Sequence, residues 1–209
     1  MAMLNQLRPA LSRVITPVGR ALARTGLTPN AITLIGTLGV VGGALGFYPR
    51  GQFFWGTVVI TIFVFFDMFD GAVARVTGKT SRFGAFLDSN MDRVSDAAIF
   101  SGVILYFARQ DHQDLLMIGL ALFCLVAGAL VSYARARAEG IGVGATVGIA
   151  ERGERLIVSL VAIGLDGLGV PYVLAIGLWL LSLASAITVV QRFVAVRRQL
   201  EVLEVSESS

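Results

Sequence analysis

The chain is predicted to be an all-α integral membrane protein, and three observations predict it. Apolar residues make up 56% of its 209 positions and charged residues 15%, with a mean hydropathy of +0.78, far from the balance of a soluble domain. The apolar residues form long runs near the roughly 20 residues that a membrane helix requires. These runs are uninterrupted, without the ~10-residue alternation of a membrane barrel.

The expected organisation is one domain over 1–209, with an interfacial helix at 1–26, a six-helix bundle at 27–198 and a loose polar tail at 199–209. In the first segment Leu4, Leu7, Leu11, Val14, Ile15, Val18 and Leu22 share one helical face, and Arg13, Arg20 and Arg24 share the other. That pattern suits a helix lying among lipid headgroups. The segment has no apolar core or small-residue cleavage pattern, so it does not read as a signal peptide.

Six spans follow, at about 31–49, 52–70, 84–108, 113–134, 153–170 and 171–194. The first contains Gly36, Gly39, Gly42, Gly43 and Gly46, whose small-xxx-small spacings allow close helix approach. Between the fourth and fifth spans, GIGVGATVG lacks both a preceding strand and a following Gly-Lys-Ser/Thr, so it is expected to be a flexible connection, not a phosphate loop.

Basic residues set the orientation, because they favour cytoplasmic loops. Six spans place both termini together, on the side that carries Arg8, Arg13, Arg20, Arg24, Arg75, Lys79, Arg82, Arg135, Arg137, Arg152, Arg155, Arg192, Arg197 and Arg198. Only Arg50 and Arg109 fall on the other side, with Arg93 inside a span. Both termini are therefore expected in the cytoplasm, and the chain in the cytoplasmic membrane. The net charge of +3 reflects this topology and gives no reason to invoke nucleic acid. The single cysteine, Cys124, excludes an intrachain disulfide and reads as a packing residue.

Against this apolar background stands DMFDGAVARVTGKTSRFGAFLDSNMD, residues 67–92. Asp67, Asp70, Gly71 and Ala74 fall at i, i+3, i+4 and i+7 of one helix, and Gly84, Asp88 and Asp92 at i, i+4 and i+8 of the next. A turn containing Gly78 would bring the two faces together. An aspartate at the centre of a membrane helix costs about 2.5–3.5 kcal/mol, so four that converge in a low-dielectric setting would either protonate or hold cations. Two divalent ions balance four negative charges, and oxygen ligands favour Mg²⁺ or Mn²⁺ over zinc. Paired divalent ions suit phosphoryl transfer. Gly71, Ala74 and Gly84 leave room for a substrate beside the carboxylates, and Arg75 adds a positive charge. The only histidine, His112, is expected in an outward loop and offers no competing nucleophile.

The spacing Asp67-x2-Asp70-Gly71-x2-Ala74-Arg75-x8-Gly84-x3-Asp88-x3-Asp92 resembles the full signature of the CDP-alcohol phosphatidyltransferase family. Upstream, Leu27-Thr28-Pro29-Asn30-x2-Thr33 is similar to the segment that opens the family's first span. The resemblance implies a membrane homodimer that transfers a phosphatidyl group from CDP-diacylglycerol to an alcohol and releases CMP. It also implies metal ligation by Asp67, Asp70, Asp88 and Asp92, with Asp92 as general base. Asn30, Thr33, Asp67, Asp70, Gly71, Ala74, Arg75 and Gly84 would form the nucleotide site. Asp96 continues the i+4 series outside the motif and is expected to pair with an arginine.

The segments SYARARAEG and ERGERL resemble a region of the family's actinobacterial members that join inositol 1-phosphate to CDP-diacylglycerol. This implies a phosphate-binding pocket containing Arg135, Arg155 and Arg192, with Arg152 beside it. Arg135 stands where lysine is expected, a departure that leaves glycerol 3-phosphate and serine as alternative acceptors. From another class, a cation transporter would also use intramembrane aspartates, but it would not require the fixed glycine, alanine and arginine positions.

Overall fold

The computed structural model describes residues 17, 21, 24, 26–109 and 111–207. The interfacial helix expected over 1–26 lies outside the described residues, apart from Pro17, Ala21, Arg24 and Gly26. The helices are α1 (Pro29–Phe47), α2 (Phe53–Asp67), α3 (Phe69–Thr77), α4 (Arg82–Phe107), α5 (Leu115–Glu139), α6 (Arg152–Asp166) and α7 (Val173–Glu207), with a 3₁₀ turn at Tyr48–Arg50. No strand occurs among the described residues.

Local chemistry explains where several of them begin. Thr28 caps α1 by accepting from the Ala31 N–H at 3.2 Å, and Pro29 occupies the first turn, where its missing N–H costs nothing. Ser81 caps α4 by accepting from the Gly84 N–H at 2.9 Å. Asp114 caps α5, accepting from the Leu116 and Met117 N–H groups at 3.0 and 3.1 Å. Glu151 and Glu154 form a capping box at the start of α6.

The six longer helices close into a ring in the order α1, α2, α6, α7, α5, α4, each packed on its two neighbours. Val40, Tyr48, Ile60, Ile99, Val103, Leu174 and Leu178 fill its centre. Three glycines of α1 permit this closeness, Gly43 among them, where a Cβ would lie 3.0 Å from Ile60 Cγ1. A Cβ at Gly39 would lie 2.1 Å from the Phe63 ring, and one at Gly36 would lie 2.9 Å from the Asp67 Cβ. Gly42 and Gly46 differ from the expectation: nothing lies within 4 Å of a Cβ at either position, so they take no part in this packing.

Large apolar side chains cover the exterior, among them Leu38, Trp55, Phe65, Leu115, Val126, Trp179 and Leu183. Such a surface matches a hydrocarbon solvent and not water. Among the described residues four helical stretches are long and apolar enough to cross a membrane: Pro29–Arg50, Phe53–Thr77, Leu115–Glu139 and Val173–Val205. The six expected spans are thus four by this measure. Helix α4 misses it because Asp88, Asp92, Arg93 and Asp96 interrupt its apolar surface, and α6 because its 15 residues rise about 22 Å against a hydrocarbon core of about 30 Å.

Two further expectations are corrected. The connection expected to be flexible before α6 is tied down: the Ile149 and Ala150 N–H groups donate to Thr188 Oγ1 at 3.2 and 3.0 Å, and Val143 and Ala145 are buried. The tail expected to be loose from 199 is helical to Glu207, and the Gln199 side chain both donates to the Gly144 carbonyl and accepts from the Gly144 N–H.

Candidate active site

Four elements, α1 to α4, carry the aspartates and the cavity wall beside them. Along α1, Asn30, Thr33 and Thr37 recur at helical spacing on one side, and Gly36 lets Asp67 approach the α1 backbone. The helix running from Phe53 breaks at Met68, so Asp67 ends α2 and Asp70 lies in the first turn of α3. Gly78 ends α3 in the left-handed conformation at φ 67°, which glycine adopts without a Cβ penalty. The chain then reverses into α4, which carries Asp88 and Asp92 back past Asp67.

Asp67, Asp88 and Asp92 each place a carboxylate oxygen within 4.8 Å of the other two. Asp70 stands beside this trio. Its Oδ2 accepts from Thr33 Oγ1 at 2.7 Å, and its Oδ1 accepts from the Gly71 N–H. The Asp67 Oδ1 is buried without a hydrogen-bond partner, an arrangement that calls for a cation. An oxygen-only donor set with an unsatisfied buried carboxylate fits a hard divalent ion. Arg152, from the start of α6, places Nη1 2.8 Å from Asp92 Oδ1.

Three adjoining cavities surround the carboxylates. One of about 200 Å³ is lined by Asn30, Thr33, Asp70, Gly71, Ala74, Gly84 and Asp88, as well as Lys79, Thr80 and Ser81. A second, of about 210 Å³, is lined by Asp67, Asp70, Asp88, Asp92 and Arg152 against Gly36 and Thr37. The third, of about 240 Å³, is lined by Arg93, Asp96, Arg152 and Arg155 with apolar residues of α4, α5 and α6. Asp70 and Asp88 are common to the first two, and Arg152 to the last two.

Gly71 and Gly84 face the first cavity with little against them. A Cβ at Gly71 would meet only the Arg75 guanidinium, at 3.3 Å, and one at Gly84 would meet Ser81 Oγ at 3.1 Å and Asn30 Oδ1 at 3.4 Å. Arg75 is exposed and lies over Gly71 without lining the cavity.

The four arginines expected together do not meet in one place. Arg152 and Arg155 line the third cavity, where buried Arg155 donates to the Ala150 and Gly128 carbonyls at 2.9 and 3.4 Å. Arg192 donates through Nε to the Val147 carbonyl at 3.0 Å and through Nη1 to the Val131 carbonyl, so backbone oxygens engage its guanidinium. Arg135 is exposed and pairs with Glu139 at 2.9 Å. The expected arginine partners of Asp96 are present: Arg93 and Arg152 lie 3.9 and 3.5 Å from it. Cys124 is buried with Sγ near the Leu178 carbonyl and Ser182 Oγ, and His112 lies in the α4–α5 connection, stacked on Tyr106.

Sequence reasoning missed Ser81 and Thr188, and it read Lys79 only as a cytoplasmic charge and Gly36 only as a packing position. Ser81 could have been found as a helix cap three residues before Gly84. Thr188, far along the chain from the loop it fastens, had no signal in the sequence.

A ring of apolar helices with clustered aspartates beside a glycine-walled cavity fits metal-assisted transfer of a phosphorus-containing group at a membrane. Residues 26–190 match the CDP-alcohol phosphatidyltransferase family, and the chain belongs to that family. It is 50% identical to a phosphatidylinositol phosphate synthase of Streptomyces avermitilis, across 95% of this chain and 84% of that protein. Its identity to the Cutibacterium acnes phosphatidylinositol phosphate synthase is 46%, across 95% of this chain and all of the other. Among solved structures it resembles the Mycobacterium tuberculosis phosphatidylinositol phosphate synthase with CDP-DAG bound, at a TM-score of 0.84 and 43% identity over 88% of this chain and 94% of that one. The same enzyme in complex with manganese and citrate gives 0.83 and 44%, over 87% and 88%.

Proposed function

We propose that this phosphatidyltransferase moves the phosphatidyl group of CDP-diacylglycerol onto inositol 1-phosphate, yielding phosphatidylinositol phosphate and CMP. The observation that carries the reading is the row of three cavities with shared walls: glycine-lined, then carboxylate-lined, then arginine-lined. Such a row suits a nucleotide, a diphosphate and an anionic acceptor in that order. The phosphatidylinositol phosphate synthases to which the chain is similar support the same substrates.

In this reading the nucleotide lies against Gly71 and Gly84, with Asn30, Thr33, Ala74 and Arg75 around it. Asp67, Asp70, Asp88 and Asp92 would hold two Mg²⁺ or Mn²⁺ ions, which supply charge neutralisation on the diphosphate and on departing CMP. Asp92 accepts the proton of the acceptor hydroxyl. As its oxygen bonds to the phosphorus that carries diacylglycerol, the bond from that phosphorus to the CMP oxygen breaks. Arg155 spends Nη1 and Nη2 on carbonyls and keeps further donors for the acceptor phosphate, with Arg152 three residues before it on α6 lining the same cavity. Arg192 contributes by holding the loop that carries the Ala150 carbonyl. Arg135 remains an acceptor-phosphate residue only if its pairing with Glu139 opens.

The same proposal includes six spans, with α4 and α6 joining the four apolar helices, both termini and the site at the cytoplasmic face, and a homodimer. The basic residues concentrated at one end of the spans support this topology. The deciding experiment measures CMP release by purified protein with CDP-diacylglycerol and inositol 1-phosphate, free inositol, serine or glycerol 3-phosphate. The highest kcat/KM is expected with inositol 1-phosphate. Preference for any of the other three would overturn the acceptor while leaving the family membership intact.

A further inference from the structure

Asp96 belongs to no part of the aspartate motif, yet the structure surrounds it with the same two cations that touch Asp92. Arg152 reaches Asp92 Oδ1 through Nη1 at 2.8 Å and Asp96 Oδ1 through Nε at 3.5 Å. Arg93 reaches Asp92 Oδ2 through Nη2 at 3.8 Å and Asp96 Oδ2 through Nε at 3.9 Å. Each carboxylate therefore lies between two guanidinium groups, one toward each oxygen. The four groups form a closed ring of two negative and two positive charges.

We infer that Asp96 is a positioning residue for the metal-binding carboxylates: it holds Arg93 and Arg152 so that Asp92 can ligate a divalent cation. The inference rests on the proposed reading of Asp92 as a metal ligand.

Charge and geometry carry it. An ion at Asp92 must compete with two guanidinium groups, and it can do so only if they have another anion to neutralise. Asp96 is that anion, one helical turn along the same face of α4. The Nε atoms of Arg93 and Arg152 are both buried without a hydrogen-bond partner, and both are directed at Asp96 from beyond normal hydrogen-bond distance. Each arginine can thus strengthen its contact with Asp96 as it yields Asp92, without acquiring a new partner. Removing the Asp96 charge would leave two cations on one carboxylate, and metal affinity would fall. Outer-shell partners of metal ligands carry effects of this kind, about 10–100-fold in affinity. The inference also explains an acidic residue at the border of the arginine-lined cavity, where it would otherwise weaken binding of an anionic acceptor.

The test is direct Mn²⁺ binding to the purified full chain in lipid nanodiscs, read as loss of the free Mn²⁺ electron paramagnetic resonance signal, alongside the Mn²⁺ concentration that gives half-maximal CMP release. Asp96→Asn should weaken both at least about tenfold. The double variant Asp96→Asn/Arg93→Gln should recover most of the loss, because it restores one anion per guanidinium. Arg93→Gln alone, in a background where Asp96 is intact, should bind Mn²⁺ several-fold more tightly than wild type. A merely structural role for Asp96 would not produce rescue by removing a cation. Wild-type Mn²⁺ affinity in Asp96→Asn would overturn the inference. If Asp96→Asn cannot be purified folded, unchanged or weaker affinity in Arg93→Gln would overturn it, and tighter affinity would support it. Absence of Mn²⁺ binding by wild type itself would defeat the proposed metal site, a failure distinct from the others.

Discussion

Replacing Thr188 with valine should loosen the acceptor side of the site from the far end of the chain. Thr188 is wholly buried on α7, and its Oγ1 accepts from the Ile149 and Ala150 N–H groups at 3.2 and 3.0 Å while donating to the Ala184 carbonyl at 2.8 Å. Valine keeps the shape and deletes the acceptor. Two backbone donors then lose their partner, at about 1–3 kcal/mol each, for a total of about 2–6 kcal/mol if the loop cannot turn them to water. With roughly 2–4 °C per kcal/mol at this chain length, even the lower figure lowers the melting temperature by at least about 4 °C. The functional consequence follows from Arg155, which donates to the carbonyl of the same Ala150. Displacement of this loop should raise the KM for inositol 1-phosphate and leave that for CDP-diacylglycerol nearly unchanged, because the hydrogen-bond partners of Thr188 do not line the glycine-walled cavity. Thermal melting of detergent-purified protein and CMP-release kinetics read the two effects. Thr188→Ser, which retains the hydroxyl, should stay near wild type. Wild-type melting and acceptor KM in Thr188→Val would refute the claim that this hydroxyl holds the loop.

Chelation with EDTA should abolish CMP release, and added Mg²⁺ or Mn²⁺ should restore it; Asp88→Asn, which keeps size while removing a charge, should lower turnover by more than about 100-fold, beyond the range for outer-shell partners. Gly71→Leu should weaken CDP-diacylglycerol binding without loss of folding, because only the flexible end of Arg75 lies near the added Cβ. By contrast, Gly39→Leu should reduce the yield of folded protein, since its Cβ would fall 2.1 Å from the Phe63 ring; size-exclusion profiles and nucleotide-lipid binding separate the two. Arg155→Ala should lower kcat/KM for inositol 1-phosphate roughly ten- to hundredfold, with CDP-diacylglycerol affinity retained, and full activity would remove this arginine from the acceptor site.

By itself the sequence determined the material of the protein and the chemistry at its centre. Long apolar runs specify membrane helices because a chain in hydrocarbon must satisfy its backbone hydrogen bonds internally. Asp67 and Asp70, expected on one helix, fall on two, but Asp88 and Asp92, at i and i+4, are local enough that helix geometry alone puts them on one face, and Gly78 marks the reversal before them. Asp96 was legible for the same reason, one turn beyond Asp92. Only the tertiary structure decided how those faces meet and what surrounds them. The helix break at Met68 puts Asp67 and Asp70 on different helices, which no spacing rule contains, and Asp70 stands outside the trio of Asp67, Asp88 and Asp92. The arginines were legible as a set and not as a pocket, because backbone carbonyls of Val131 and Val147, distant in sequence, engage Arg192, while Asp92 engages Arg152. Glycine spacing likewise could not distinguish Gly39, pressed on Phe63, from Gly42, which meets nothing. Periodicity assigns a residue to a face of its own helix; which neighbour that face meets depends on contacts made by the whole ring.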